Sequence, residues 1–359
     1  MTVLGRRALN RALLARQHLL ERADMPALAM VDHLVGMQAQ APFPPYYGLW
    51  TRLRGFEPGE LSALLLDRKV VRIAVMRGTV HLVTAADAPE LRAAVQPVLD
   101  RDLRRVGALD LDTVAAETRK ILAERPYPTT ELARELARRL PGHDRSDLML
   151  AARALVPLVQ VPPRAVWGRA GQPTCATLQD WLGVDVPERP GLKQLVLRYL
   201  AAFGPATVRD VQAWCGLTRL AEIVDRLRPR LRVFRTDDGK ELFDLPDAPR
   251  PDPDTPAPVR FLPEFDNLLL SHADRTRVIS DEYRKRISTR NGIAPATILV
   301  DGVMCGRWKI IRDKEKSTLD IEPFERLSGP DRAALSEEGS RLLRFAELPD
   351  GEVRFSPAG

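Results

Sequence analysis

Cysteine is scarce in this 359-residue chain: Cys175, Cys215 and Cys305 stand far apart, with no CxxC spacing. That excludes a zinc ribbon and argues against a disulfide framework. Histidine is sparse too, five residues without an HExxH pair, so no metal site is expected. No organic cofactor is implied either. Long apolar runs are missing; none approaches the ~18 residues that cross a bilayer, so no membrane partner is expected. Lysine supplies only eight of 54 basic residues. Heavy use of Arg and Ala can follow from a GC-rich genome, so the net charge of +6 and pI near 9.4 are only partly informative. They fit a polyanion partner without demanding one.

What is present is an ordinary globular composition, 45% hydrophobic and 28% charged. The acid-free start, "MTVLGRRALNRALLARQHLL", has the look of a transit peptide. However, Leu4, Ala8, Ala12, Ala15 and Leu19 recur at helical spacing, which predicts a first amphipathic helix over 5–22. A cytoplasmic location is expected.

One pattern then recurs three times: helices followed by two strands and a tight loop. The clearest copy spans 191–246. "GLKQLVLRYLAAFG", "PATVRDVQAWCGL" with Thr207 as N-cap, and "TRLAEIVDRLRP" are helical. "LRVFRTDDGKELFDL" is a hairpin turning at Asp238-Gly239. Three helices and a hairpin make a winged helix. A second copy runs through "DTVAAETRKILAER", "TTELARELARRL" and "DRSDLMLAARALVPL", with strands at "VQVP" and "RAVWGR". The first copy has predicted helices at 26–37 and 44–54, "GELSALLLD", and strands in "VVRIAVMRGTVHLV". The expected architecture is therefore α+β and mainly helical. Its divisions are winged helices over 1–90, 91–186 and 187–247, a Pro-rich linker over 248–258, and a small α+β domain over 259–359.

The stretch "HLVGMQAQAP" poses the functional question. An apolar helical run, Ala27 to Met37, ends in Gln38-Ala39-Gln40, where the second helix of the first copy meets the third. A solvated turn would take Glu, Lys, Ser or Asp more readily. Gln is also a common polar helix residue, but the rigid apolar "APFPPYYGLW" that follows places these amides in a fixed setting. "PEFD" supplies Glu264 and Asp266 as candidate water-orienting carboxylates; the plainer reading makes them turn caps. Arg77 and His81 in "MRGTVHL" sit at a wing and are candidates for phosphate contact. The alternatives are a solvated hairpin charge and a satisfied core histidine. Arg284, Lys285, Arg286 and Arg290 lie in the densest basic run, 275–292, and would neutralise phosphates unless they form a solvated helix face. Tyr46, Tyr47 and Trp50 share an apolar stripe with Leu49 and Leu53 and read as core. The Asp301-Gly302 hairpin and the acidic-tipped "RTDDGKE" are candidates to probe a groove.

The QxQ, together with "PFPPYYGLWTRL", "VMRGTVHLVTAAD", "FLPEFDNLLLSHADR" and "DGVMCGRWKI", resembles the AlkZ/YcaQ family of winged-helix bacterial DNA glycosylases, in the family's order along nearly the whole chain. The resemblance implies three tandem winged helices and a C-terminal domain in a C-shape around double-stranded DNA. It also implies hydrolysis of the N-glycosidic bond of N7-alkylated purines, crosslinked guanines included. Gln at position 38, rather than His, is similar to the branch that gives actinomycetes resistance to their own DNA-alkylating antibiotics. Gln38 and Gln40 would be catalytic. No lysine stands near the motif to form a Schiff base, so a monofunctional enzyme is expected, and three different tandem copies in one chain point to a monomer wrapping one site. The rival reading is a winged-helix transcription regulator without catalysis. A regulator, however, usually carries a dimerisation element and has no use for the QxQ pair.

Overall fold

The computed structural model describes residues 2–287, 294–313 and 316–357. One order of elements occurs three times. The first repeat has a helix Ala27–His33, β1 (Met37–Gln38), helices Pro44–Trp50 and Pro58–Leu66, and a hairpin of β2 (Val70–Ala74) and β3 (Val80–Thr84). The second has a helix Leu111–Glu124, β4 (Tyr127–Pro128), helices Thr129–Arg139 and Arg145–Leu155, then β5 (Leu158–Gln160) and β6 (Thr174–Thr177). The third has helices Leu192–Phe203, Val208–Cys215 and Ala221–Leu227, then β7 (Arg232–Arg235) and β8 (Glu241–Asp244). In each, the segment after the first helix pairs with the hairpin's second strand: β1 with β3, β4 with β6, and Ala206 with Phe243.

Local chemistry sets most of these elements. Asp110 and Asp144 accept the first free N–H groups of their helices. Thr207 and Asp210 form a reciprocal capping box. Gly239, at φ 82°, turns the β7–β8 hairpin. The strand expected at "RAVWGR" is absent; the partner of β5 is Thr174–Thr177, beyond a loop.

The first repeat departs further from expectation. The initial helix is Arg6–Arg16, and it packs on the third repeat rather than the first. Arg16 forks onto Asp244 at 2.6 and 2.8 Å, both side chains being buried. Gln17 donates to the Ala202 carbonyl at 2.7 Å. The next helix stops at His33, four residues short of Met37. Val35 enters the left-handed region at φ 54°, and its N–H bonds the Asp32 carbonyl at 3.0 Å. Gly36, at φ 95°, returns its N–H to Val31 at 3.0 Å. This is a Schellman ending with a β-branched residue in the strained position. A Cβ on Gly36 would lie 2.7 Å from Val83, so only glycine lets the chain swing onto β3 here.

β2 pairs antiparallel with β5, matching Arg72 to Gln160 and Ile73 to Val159. The two hairpins thus form one six-stranded sheet of order β1-β3-β2-β5-β6-β4. The second repeat's helices keep their own core around Val114, Ile121, Leu132, Leu136 and Leu148. The first and third repeats share a larger core with the C-terminal region.

That region holds β9 (Arg260–Leu262), β10 (Thr297–Val300), β11 (Val303–Arg312) and β12 (Ser317–Pro323). A helix, Gly329–Phe345, follows, and then β13 (Glu352–Phe355), parallel to β12. The expected closing helix is therefore followed by one more strand. The β10–β11 turn is docked rather than free to enter a groove. Asp301 meets Arg7 at 2.6 Å and also Arg11, and a Cβ on Gly302 (φ 77°) would lie 2.4 Å from Leu14. Among the described residues, no helix is long and apolar enough to cross a membrane.

Candidate active site

The Schellman ending delivers Gln38 into a strand rather than a helix–helix turn. Gln38 stands opposite His81 in the β1–β3 ladder. The Ala39 N–H bonds the Val80 carbonyl at 2.8 Å, and the Val80 N–H reaches the Gln40 side-chain oxygen at 3.3 Å. Arg72, buried on β2, donates to the Ala39 carbonyl at 2.7 Å. Among the described residues its Nε and Nη1 have no partner, and burial lowers its pKa to about 10. The middle of the motif is therefore pinned through its backbone on both sides. Gln38 is buried; Gln40 is exposed.

The PEFD segment closes on this strand. Gln38, Pro44, Pro45 and Glu264 line one small cleft, with Arg52, Asp266 and Asn267 beneath. Gly48 allows the close approach: a Cβ there would lie 2.4 Å from the Met37 methyl. Asn267 donates to the Gly36 carbonyl at 2.9 Å, tying the C-terminal region to the turn that precedes the motif.

The two carboxylates have different duties. Asp266 accepts both terminal nitrogens of Arg52 at 2.8 Å and caps the helix Asn267–Leu270 through the Leu268 N–H at 3.0 Å. It is buried and structurally committed, which turns it away from the water-orienting part expected of it. Glu264 has no bonded partner among the described residues. Partial burial alone raises its pKa above the usual glutamate range.

The wing residues also differ from expectation. His81 is wholly buried and its Nδ1 lies 2.9 Å from the Thr79 carbonyl, so it is a core residue rather than a phosphate contact. Burial, then the nearby Arg77 charge, lowers its pKa to about 3 and keeps it neutral. Arg77 is turned inward rather than standing as a solvated hairpin charge. It sits at φ 56° in the tip Met76–Gly78 and donates to the Gln38 side-chain oxygen at 2.8 Å and to the Trp214 carbonyl. Arg153 holds the same tip through the Gly78 carbonyl. Tyr46 and Trp50 are buried, and the Tyr46 hydroxyl donates to the Ala165 carbonyl at 2.6 Å, as core groups do.

In the basic run, Arg284, Lys285 and Arg286 lie on the helix Asp281–Ile287. Lys285 is exposed. Arg284 pairs with Asp281 at 3.3 Å, and Arg286 donates to the Phe324 carbonyl at 3.1 Å. Arg290 lies outside the described residues.

A family model described as DNA glycosylase AlkZ-like matches residues 31–345. The chain belongs to the AlkZ-like DNA glycosylase family. It is 24% identical to an interstrand DNA cross-link repair glycosylase of Streptomyces sahachiroi, over 95% of this chain and 96% of that protein. The structure of the DNA glycosylase AlkZ of Streptomyces sahachiroi superposes with a TM-score of 0.80 at 20% identity, covering 99% of this chain and 100% of that one. This membership makes the protein an enzyme of the N-glycosyl hydrolase type and does not favour a regulator without catalysis. Arg72, Arg52, Asn267 and the strained Val35 support the site and left no mark in its sequence pattern.

Proposed function

We propose that the protein is a monofunctional DNA glycosylase that hydrolyses the N-glycosidic bond of N7-alkylguanine in duplex DNA, as a bulky adduct or a crosslink, for repair or antibiotic self-resistance. The carrying observation is the pairing of a neutral, fixed amide, Gln38, with one unpartnered carboxylate, Glu264, along a single cleft.

Breaking a deoxynucleoside C1′–N bond develops positive charge on the sugar. Glycosylases of uncharged bases must therefore activate the leaving group or the water strongly. Gln has no useful pKa and supplies only a dipole. A guanine alkylated at N7 is already cationic and leaves neutral, so weak assistance suffices. Water is the nucleophile: it rests on the amides of Gln38 and Gln40 while Glu264 accepts its proton and faces the developing oxocarbenium charge. The cleft lining contains no lysine, which fits a product left as an abasic site. The relative named for interstrand cross-link repair supports the lesion class.

The three helix-strand-helix-helix-hairpin repeats act as winged helices, with divisions at 1–90, 91–186 and 187–247 and a linker at 248–258. They curve as a monomer about the duplex. Arg284 and Lys285 add phosphate contacts, which makes binding weaken with salt. An open cleft suits a bulky adduct better than a tight extrusion pocket.

Duplex DNA carrying one 7-methylguanine tests this. Free 7-methylguanine and an abasic strand are expected. Equal release of unmodified guanine, or no release from any N7-alkylated duplex, would overturn it. The rate is expected to fall on acidification through a pKa above that of free glutamate, because Glu264 must be ionised to accept the proton. Its raised value moves that loss to higher pH. In Glu264→Gln the acid limb disappears and the rate is low throughout; an unchanged acid limb in that variant assigns the titration elsewhere.

A further inference from the structure

We propose that Arg77 is a positioning residue that fixes which end of the Gln38 amide faces the cleft, and so sets Gln38 as a hydrogen-bond donor there. This rests on the glycosylase reading above and refines it.

A guanidinium can only donate, so the group 2.8 Å from Arg77 Nη2 must be the Gln38 oxygen. The Gln38 Nε2 has no bonded partner among the described residues, and Gln38 lines the cleft. The amide therefore offers N–H to the cleft, polarised by the cation behind its carbonyl. Gln38 then donates its N–H to the oxygen of the water, and proton acceptance falls to Glu264 and the Gln40 side-chain oxygen. A freely rotating glutamine would present either end.

Arg77 is itself fixed from three sides. It occupies the left-handed region at φ 56°, an uncommon conformation for a non-glycine residue. Its other terminal nitrogen donates to the Trp214 carbonyl, at the end of the helix Val208–Cys215 in the third repeat. Gly216, at φ 84°, packs against it so closely that a Cβ would stand 3.0 Å from the Arg77 Cα. Arg153 of the second repeat donates to the next carbonyl, Gly78. One hairpin tip thus couples all three repeats to the orientation of a single amide.

The test compares wild type with Arg77→Met, Arg77→Lys and each of these combined with Gln38→Ala. Single-turnover release of 7-methylguanine should fall about tenfold to a hundredfold in Arg77→Met, as for a misplaced catalytic group, with duplex Kd unchanged. Arg77→Lys, which can still reach the Gln38 oxygen, should recover part of the rate and remains the informative variant if Arg77→Met does not fold. In the Gln38→Ala background either substitution should cost little more. The Gln38 side-chain amide NMR signals, assigned by their loss in Gln38→Ala, should shift in Arg77→Met without any DNA present. Fully additive losses, or unmoved amide signals, would overturn the proposal. A weaker Kd with a shallower salt dependence would restore Arg77 to phosphate binding. If wild type releases no base from any N7-alkylated duplex, the glycosylase reading fails, while the NMR arm still decides whether Arg77 orients the amide.

Discussion

Gln38→Ala is expected to slow release of 7-methylguanine by about 10²–10³-fold, the usual cost of removing one preorganised hydrogen-bonding group from a transition state. Duplex affinity should be unchanged, because the side chain is buried at a strand and not presented to phosphate. Gln40→Ala should cost less. Gln40 is exposed, and the bond its side chain accepts from the Val80 N–H is long at 3.3 Å. Neither loss should be recovered by changing pH, since an amide does not titrate in the accessible range. Single-turnover kinetics on a 7-methylguanine duplex, with binding measured separately, distinguish these outcomes. Release at the wild-type rate by both variants would remove the motif from the mechanism.

Asp266→Ala should lower stability by about 3–5 kcal/mol, the penalty of leaving a buried charge without its partner. Arg52 is fully enclosed, and two of its terminal N–H groups point at the Asp266 carboxylate. The substitution also removes the cap of the helix Asn267–Leu270. Glu264→Ala, two residues away, should leave the melting temperature nearly unchanged, because that residue is exposed and its carboxylate has no partner among the described residues. The activities should rank the other way at a temperature where both variants stay folded. Thermal melts and base release on the same two proteins check this. A stable, inactive Asp266→Ala would return that carboxylate to the chemistry.

These two substitutions mark how far the sequence reaches. "PEFD" shows two carboxylates beside a turn, and nothing in their order says which one meets Arg52. That assignment comes from Arg52, more than two hundred residues away in sequence, whose position depends on Gly48 letting its helix close on Met37. The basic run divides likewise. Arg277 is buried and donates to the Pro205 carbonyl at 2.9 Å, whereas Lys285 is exposed.

By itself the sequence determined the local elements: helices whose apolar period and capping side chains agree, and hairpins where Asp-Gly supplies a left-handed turn. It also determined that the motif itself carries two amides, Gln38 and Gln40, where a carboxylate would be ordinary. Tertiary structure alone decided that the helix from Ala27 ends at His33, because the Val35–Gly36 turn is held by packing against Val83. It alone joined two repeats through β2 and β5 and docked the first helix on the third repeat. It also turned Arg77 from a surface charge into a support for Gln38. Charge is read from a sequence as exposure, but an arginine is satisfied inside a protein wherever distant segments bring it carbonyls and amide oxygens, and their arrival is a property of the folded chain.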